Sequence, residues 1–160
     1  MAKMAVKGLN EYAKMLDRLG AKAPEVAKKA VYAGANVLAN KVKENLELNL
    51  EDLNYVGTNS RSGTTTRLLK RNRPTGDLLE SFGIAPISVD QYGNTNTKIG
   101  FEGYDHRGIP NALKARAMES GTSELRKRPF VRPAVNAVKG QAQDRMGQVI
   151  DEEIAKIYAL

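Results

Sequence analysis

The chain has 160 residues, of which 41% are hydrophobic, and this composition predicts a folded domain with a modest core rather than a disordered chain. It contains no cysteine and one histidine, which excludes disulfides, thiol catalysis, iron–sulfur clusters and multi-histidine metal sites within one chain. The formal net charge of +7 favours acidic partners, which are nucleic acid, an anionic surface or an acidic face on another protein.

Membrane and secretion signals are not expected. No apolar run approaches the roughly 18 residues that a membrane-spanning helix needs. The first seven residues lack the apolar stretch of a secretory signal peptide.

The first 50 residues predict two helices. Residues 6–20 carry apolar side chains at steps of three and four, and Gly20 is a plausible stop. Residues 24–50 form a longer periodic segment, with Pro24 in its first turn. The apolar face of the first helix consists of Leu9, Tyr12, Leu16 and Leu19, and that of the second of Val31, Leu38, Val42 and Leu46.

Residues 51–75 predict a long, mobile, basic loop. The segment is rich in Gly, Ser and Thr, and between Asn54 and Gly76 it holds five cations and no acid. These cations are candidates to face DNA or a protein partner: Arg61, Arg67, Lys70, Arg71 and Arg73.

The middle of the chain predicts a short helical turn followed by antiparallel strands. Residues 76–83 form the turn, and residues 82–91 the first strand, where Pro86 indicates a bulge or an edge. Gly93 and Asn94 are typical of a hairpin turn. The alternating residues that follow predict a second strand with one buried face: Thr95, Thr97, Ile99 and Phe101.

Residues 102–111 predict a loop, and residues 112–119 have helical propensity. Residues 120–133 are expected to be largely extended, and Pro133 can open a last helix. The whole chain, residues 1–160, is therefore predicted to be a single α+β domain, with long N-terminal and C-terminal helices packed on a small antiparallel sheet.

No motif supports an enzyme. His106, with Asp105 beside it, is the one candidate catalytic histidine, and a solvated loop histidine is the ordinary alternative. No phosphate-binding glycine loop and no nucleophile elbow is present. The sequence predicts no enzyme, no cofactor and no metal, and it leaves a basic nucleic-acid-binding protein as an alternative to a structural one.

Three stretches, in this order along the chain, carry a family resemblance: Val6-Lys7-Gly8-Leu9, then Thr75-Gly76-Asp77-Leu78-Leu79-Glu80-Ser81-Phe82, then Glu119-Ser120-Gly121-Thr122 with Arg128-Pro129-Phe130-Val131-Arg132-Pro133-Ala134. The order and spacing resemble the tail-component family of tailed phages typified by phage HK97, which includes neck and tail-completion proteins. The motif residues make sense as fold elements. Gly76 and Gly121 permit turns, Phe130 is a core anchor, and Glu119 is expected to cap a helix or to pair with a cation such as Arg128.

The resemblance implies a non-catalytic structural protein of the head–tail junction or tail, assembled in the bacterial host cytoplasm and located in the virion. It implies partners of three kinds: other copies in a ring, connector or head-completion proteins, and tail-tube or tail-terminator proteins. Non-specific contact with passing DNA is a further expectation. The resemblance also favours a strand near Ala117–Glu119, against helical propensity. The residues on which it depends are Gly8, Gly76, Leu78, Glu119, Gly121, Thr122, Pro129, Phe130, Pro133 and Ala134.

Overall fold

The computed structural model describes residues 9–51, 76–123 and 126–159. Gly8 and the five cations of the predicted basic loop lie outside these ranges, as does that loop beyond residue 51. The described chain is α+β, as predicted. Its elements are α1 (Leu9–Glu51), α2 (Asp77–Glu80), β1 (Phe82–Ile84), β2 (Ser88–Val89), β3 (Thr95–Asn96), β4 (Ile99–Phe101), α3 (Asn111–Ser120) and α4 (Val131–Tyr158).

The long helices α1 and α4 pack against each other in opposite directions. Lys29 on α1 bonds Glu153 near the end of α4 at 2.6 Å, whereas Asn45, further along α1, bonds the carbonyl of Phe130 at the start of α4. Lys156 and Lys29 both donate to Glu153 and hold its carboxyl pKa down at about 2. The acidic end of α4, which the charge pattern alone places in solvent, is therefore tied to α1 through Glu153.

The predicted break between two N-terminal helices is wrong, because α1 continues without interruption from Leu9 to Glu51. Pro24 lies inside the helix rather than in its first turn. Proline removes only one helical hydrogen bond, the one to the carbonyl of Gly20. Residues 21–23 are alanine and lysine, which favour helix strongly enough to carry the chain through this point.

The N-terminal part of α1 extends beyond the end of α4. Since Lys29 faces Glu153 and α4 ends at Tyr158, residues 9 to about 24 lie past the last turn of α4. Tyr12 and Leu16, which the sequence places on one apolar helical face, are 61% and 49% exposed. The predicted helix is therefore present here, but this part of its apolar face is exposed.

Gly34 is the point of closest approach between α1 and α4. A β-carbon added at Gly34 would lie 2.6 Å from Cγ of Met146, whereas one at Gly140 in α4 would meet nothing within 4 Å. We expect Gly34→Ala to lower the free energy of unfolding by about 1–2 kcal/mol through overpacking. The matched Gly140→Ala should raise it by about 0.5–1 kcal/mol, because alanine is the better helix former.

Chemical denaturation followed by circular dichroism measures both changes. Equal effects of Gly34→Ala and Gly140→Ala would contradict the close packing inferred at Gly34.

The predicted pair of strands is present but divided. β1 pairs with β4 in antiparallel register, with Phe82 opposite Phe101, and β2 pairs separately with β3. Pro86, which is predicted to mark a bulge or an edge, lies between β1 and β2 and outside both ladders. The predicted turn is confirmed, with Gly93 at a φ of +82°.

Residues 111–120 form the helix α3, so the strand that the resemblance favours near Ala117–Glu119 is wrong. Helical propensity predicts this segment correctly, because it contains three alanines, a leucine and a methionine but no β-branched residue. The turn at Gly121 ends α3 with a φ of +77°, and residues 126–130 then run to α4 without regular structure.

The core lies where α1, α2, α3 and α4 meet the β1–β4 sheet. Phe130 and Leu46 are fully buried at its centre, and Val42 and Ala134 pack beside them. The rings of Phe101 and Phe130 meet edge to face, with centroids 6.0 Å apart. In the described ranges, no helix is both long enough and apolar enough to cross a membrane.

Candidate functional site

Glu119, in the last turn of α3, holds the start of α4. One oxygen, Oε2, accepts hydrogen bonds from the backbone N–H groups of Phe130 at 2.7 Å and Val131 at 2.9 Å. The other, Oε1, accepts from the backbone N–H of Arg132 at 3.1 Å. We call this arrangement the Glu119 clamp. It confirms the capping role expected of Glu119, and it supplies α4 with a cap from a different helix.

The Glu119 clamp stabilises the ionised carboxylate. Burial alone raises the pKa of Glu119, but hydrogen bonds from Val131, Phe130 and Arg132 outweigh burial and lower the pKa below its ordinary value of 4.5. The charge of Arg132 acts in the same direction. The N-terminal end of α4 also carries the positive end of the helix dipole, which favours an anion there.

Two asparagines of α1 hold the extended segment that leads into α4. The side-chain amide of Asn45 donates to the carbonyl of Phe130 at 3.2 Å, and that of Asn49 donates to the carbonyl of Arg128 at 3.3 Å. The Arg128 guanidinium donates back to the carbonyl of Asn49 at 2.6 Å. The backbone N–H of Arg128 donates to the carbonyl of Met118 at 2.7 Å. The segment is therefore hydrogen-bonded to both α1 and α3.

The other motif residues that the structure describes also occupy fold positions. Gly76 precedes α2 with a φ of +87°, a conformation that favours glycine, and Leu78 is buried. Pro133 lies in the first turn of α4, where a missing N–H costs little, and Ala134 is fully buried. Gly121 ends α3, as noted above. Thr122 and Pro129 are exposed.

An open cleft of about 580 Å³ lies beside the Glu119 clamp. It is bounded by α1, by β4 and the start of the β1–β4 sheet, by α3 and by the first turn of α4. Its walls are mostly apolar and include Leu38, Val42, Ile99, Phe101, Phe130 and Val131. We call this feature the β4 cleft.

Among the described residues, the charged side chains that line the β4 cleft are two arginines and Glu119. Both arginines, Arg116 and Arg132, are exposed, and neither forms a salt bridge with an acid among the described residues. Glu119 directs its two oxygens to backbone N–H groups. The cleft therefore presents an apolar floor with two cations that are available to an anionic partner.

His106 contacts an acid, although not the one next to it in sequence. Its Nδ1 lies 3.1 Å from Oδ2 of Asp77, the first residue of α2, and its side chain is 53% exposed. The pair joins the 102–110 loop to α2.

Asp105 has a structural role inside the same loop. Its side chain is 2% exposed and accepts hydrogen bonds from the Lys114 ammonium and from the backbone N–H of Ile109 at 2.7 Å. The bond from Lys114 lowers the pKa of Asp105 to about 2, since it outweighs the opposing effect of burial. Asp105 thus stabilises the loop and binds Lys114 of α3, whereas His106 contacts the carboxylate of Asp77.

Sequence reasoning identified Glu119 and Phe130 but missed the β4 cleft. No sequence pattern marks Arg116 as a site residue, because its neighbours in the cleft come from distant parts of the chain.

Within residues 9–51, 76–123 and 126–159, no cluster of three or more His, Cys, Asp or Glu side chains could hold a metal ion. Comparisons of the chain with protein-family models, with curated proteins and with solved structures found no match.

Proposed function

We propose that this protein is a structural component of a tailed phage or prophage, at the head–tail junction or in the tail, and that it acts by assembly rather than by catalysis. Its neighbours would be other copies of itself in a ring, and the connector and tail proteins on either side. Rings of this kind form when one head-to-tail interface repeats and closes.

The observation that carries the proposal is the Glu119 clamp. The resemblance to tail-component proteins depends on Glu119 and on the Arg128–Ala134 stretch, which are separate in sequence. In the fold, Glu119 bonds the backbone of that stretch at three consecutive residues. The two motifs thus contribute to one structural contact, which supports their interpretation as parts of one family pattern.

A non-catalytic role also agrees with how the candidate catalytic residues are used. His106 is half exposed and contacts Asp77, whereas Asp105 is occupied by backbone N–H groups and by Lys114. His106 and Asp105 thus connect the 102–110 loop to α2 and α3. The net charge of +7 is suited to contact with acidic neighbours or with DNA that passes through a ring.

The proposal is tested on intact particles from the phage or the induced prophage that encodes the chain. Heads and tails are separated, and the protein content of each fraction is measured by quantitative mass spectrometry. We expect the chain in tails or in joined particles, at a copy number that corresponds to one ring, and we expect particles without it to be incomplete.

Absence of the chain from every particle fraction would overturn the proposal and favour a basic nucleic-acid-binding protein. That alternative predicts tight DNA binding by the isolated chain, with an affinity that falls steeply as salt rises. The assembly role predicts weak or no DNA binding by the isolated chain until it assembles. The two functions therefore differ in a measurement on purified protein as well as in particle composition.

A further inference from the structure

The edge of β4 that faces away from β1 has unused backbone hydrogen-bonding groups. In the β1–β4 ladder, the N–H of Glu102 bonds the carbonyl of Ser81, and the N–H of Ala85 bonds the carbonyl of Lys98. Together with the register of Phe82 opposite Phe101, this pattern directs the backbone groups of Gly100 toward β1.

The backbone N–H and C=O groups of Ile99 and Phe101 consequently point away from β1. No hydrogen bond to these groups is present among the described residues. Ile99, Gly100 and Phe101 all line the β4 cleft. Among the described residues, the edge of β4 beside the cleft therefore has no strand partner, and such an edge is a template for pairing with another extended chain.

The walls of the β4 cleft suit an extended peptide. Half-buried apolar side chains of α1 and α4, Leu38 and Val131, line the cleft together with residues of β4. An added strand turns alternate side chains to opposite sides, so that one set meets these apolar walls. Recognition of this type takes affinity from main-chain hydrogen bonds and specificity from the pockets for alternate side chains.

The charge of the β4 cleft selects an acidic occupant. Arg116 lies on α3 and Arg132 on α4, and both are exposed cations without a salt bridge to the described acids. A carboxylate that reaches either guanidinium can form two parallel hydrogen bonds with it. A basic segment would instead meet an excess of positive charge, because two guanidinium groups and one carboxylate, that of Glu119, are the charged groups among the described residues that line the cleft.

We propose that the β4 cleft binds an extended, acidic segment of a partner protein, which adds as a strand to the free edge of β4. Its apolar residues alternate with acidic residues, and the acids pair with Arg116 and Arg132. This inference deepens the proposed function and rests on it only in taking the chain to act through contacts with partner proteins.

The test uses the full-length protein, labelled with ¹⁵N, and a capped seven-residue peptide of alternating glutamate and valine. We expect the peptide to shift the amide resonances of Ile99 and Phe101 and to slow their hydrogen exchange. A peptide of the same sequence that is N-methylated at every residue should not bind, because neither of its edges then has N–H groups that can pair with β4. A lysine–valine peptide of the same length should not bind either.

The protein-side test reverses the two charges. The double variant Arg116→Glu and Arg132→Glu should weaken binding of the glutamate–valine peptide at least about tenfold. The control is Lys43→Glu combined with Lys139→Glu, which changes the net charge equally at exposed positions outside the cleft and should leave binding unchanged. Circular dichroism verifies that both double variants are folded.

Several results would overturn the inference. These are failure of the glutamate–valine peptide to bind, equal binding of the N-methylated or the lysine peptide, and equal effects of the two double variants. Slow exchange of the Ile99 and Phe101 amides in the free protein would also overturn it. If that protection is lost on dilution, a second copy occupies the edge, and if it persists, another part of the same chain does.

The peptide test and the particle test can fail independently of each other. If the chain is found in particles but no peptide binds, the assembly role stands and the β4 cleft inference falls. If the peptide binds as expected but the chain is absent from particles, the strand-addition site stands and the phage role falls.

Discussion

Phe130→Ala is expected to lower the free energy of unfolding by about 3–5 kcal/mol, the largest effect of any single truncation considered for this chain. Phe130 is fully buried where α1, α3, α4 and the β1–β4 sheet meet, and its ring packs edge to face on that of Phe101. Removal of the ring leaves a cavity at this junction, and the surrounding structure relaxes into such a cavity only in part. Urea denaturation, followed by circular dichroism at 222 nm, measures the loss.

The matched control is Tyr92→Ala, which removes an aromatic side chain that is 80% exposed in the turn between β2 and β3. We expect this variant to stay within about 0.5 kcal/mol of the wild type. A loss for Phe130→Ala no larger than that for Tyr92→Ala would show that Phe130 does not anchor the core. A domain of ordinary stability has only about 5–15 kcal/mol in total, so Phe130→Ala should also leave a measurable unfolded fraction at modest denaturant.

The second large effect is expected at the Glu119 clamp. Glu119→Ala should lower the free energy of unfolding by about 2 kcal/mol, because the backbone N–H groups of Phe130 and Val131 are only partly exposed and lose their acceptor. Glu119→Gln keeps one carbonyl oxygen as an acceptor and should cost less than Glu119→Ala. Denaturation at neutral pH ranks the two variants.

The Glu119 clamp also has a defined pH dependence. Because folding lowers the pKa of Glu119 from its ordinary value of 4.5, the clamp contributes its full stability above that value and loses it as the pH falls through the lower folded pKa. The stability difference between wild type and Glu119→Gln should therefore be constant at neutral pH and shrink below about pH 4.5.

The control for this pH profile is Glu102→Gln, at an exposed side chain outside the Glu119 clamp. Its stability should follow the wild-type profile across the same range. A difference between wild type and Glu119→Gln that did not change with pH would contradict the role of the ionised carboxylate.

Local chemistry explains which predictions from sequence succeed. Gly76, Gly121 and Pro133 have backbone preferences that act whatever surrounds them, and each occupies the turn or helix start expected of it. The burial of Phe130 also agrees with its expected role. Pro129 and Pro133 favour an extended approach to the helix, and Phe130 between them packs on the core.

Other predictions fail because a local signal does not decide the outcome alone. Gly20 is a local stop signal and Pro24 a local start signal, yet α1 passes through both, because the alanines and the lysine between them favour helix. The apolar period around Tyr12 and Leu16 is correct, but periodicity does not say whether a face has a partner within the chain. The β4 cleft was inaccessible to sequence reasoning, since its walls come from α1, β4, α3 and α4.

The length of α1 has a consequence for how the protein behaves in solution. At about 1.5 Å per residue, its 43 residues span roughly 65 Å. A compact domain of 160 residues has a radius of gyration near 15 Å and a diameter of only about 40 Å. A monomer with such a rod through it diffuses and tumbles like a larger particle. Gel filtration against globular standards will therefore overstate its mass, and light scattering is the method that distinguishes one copy from two.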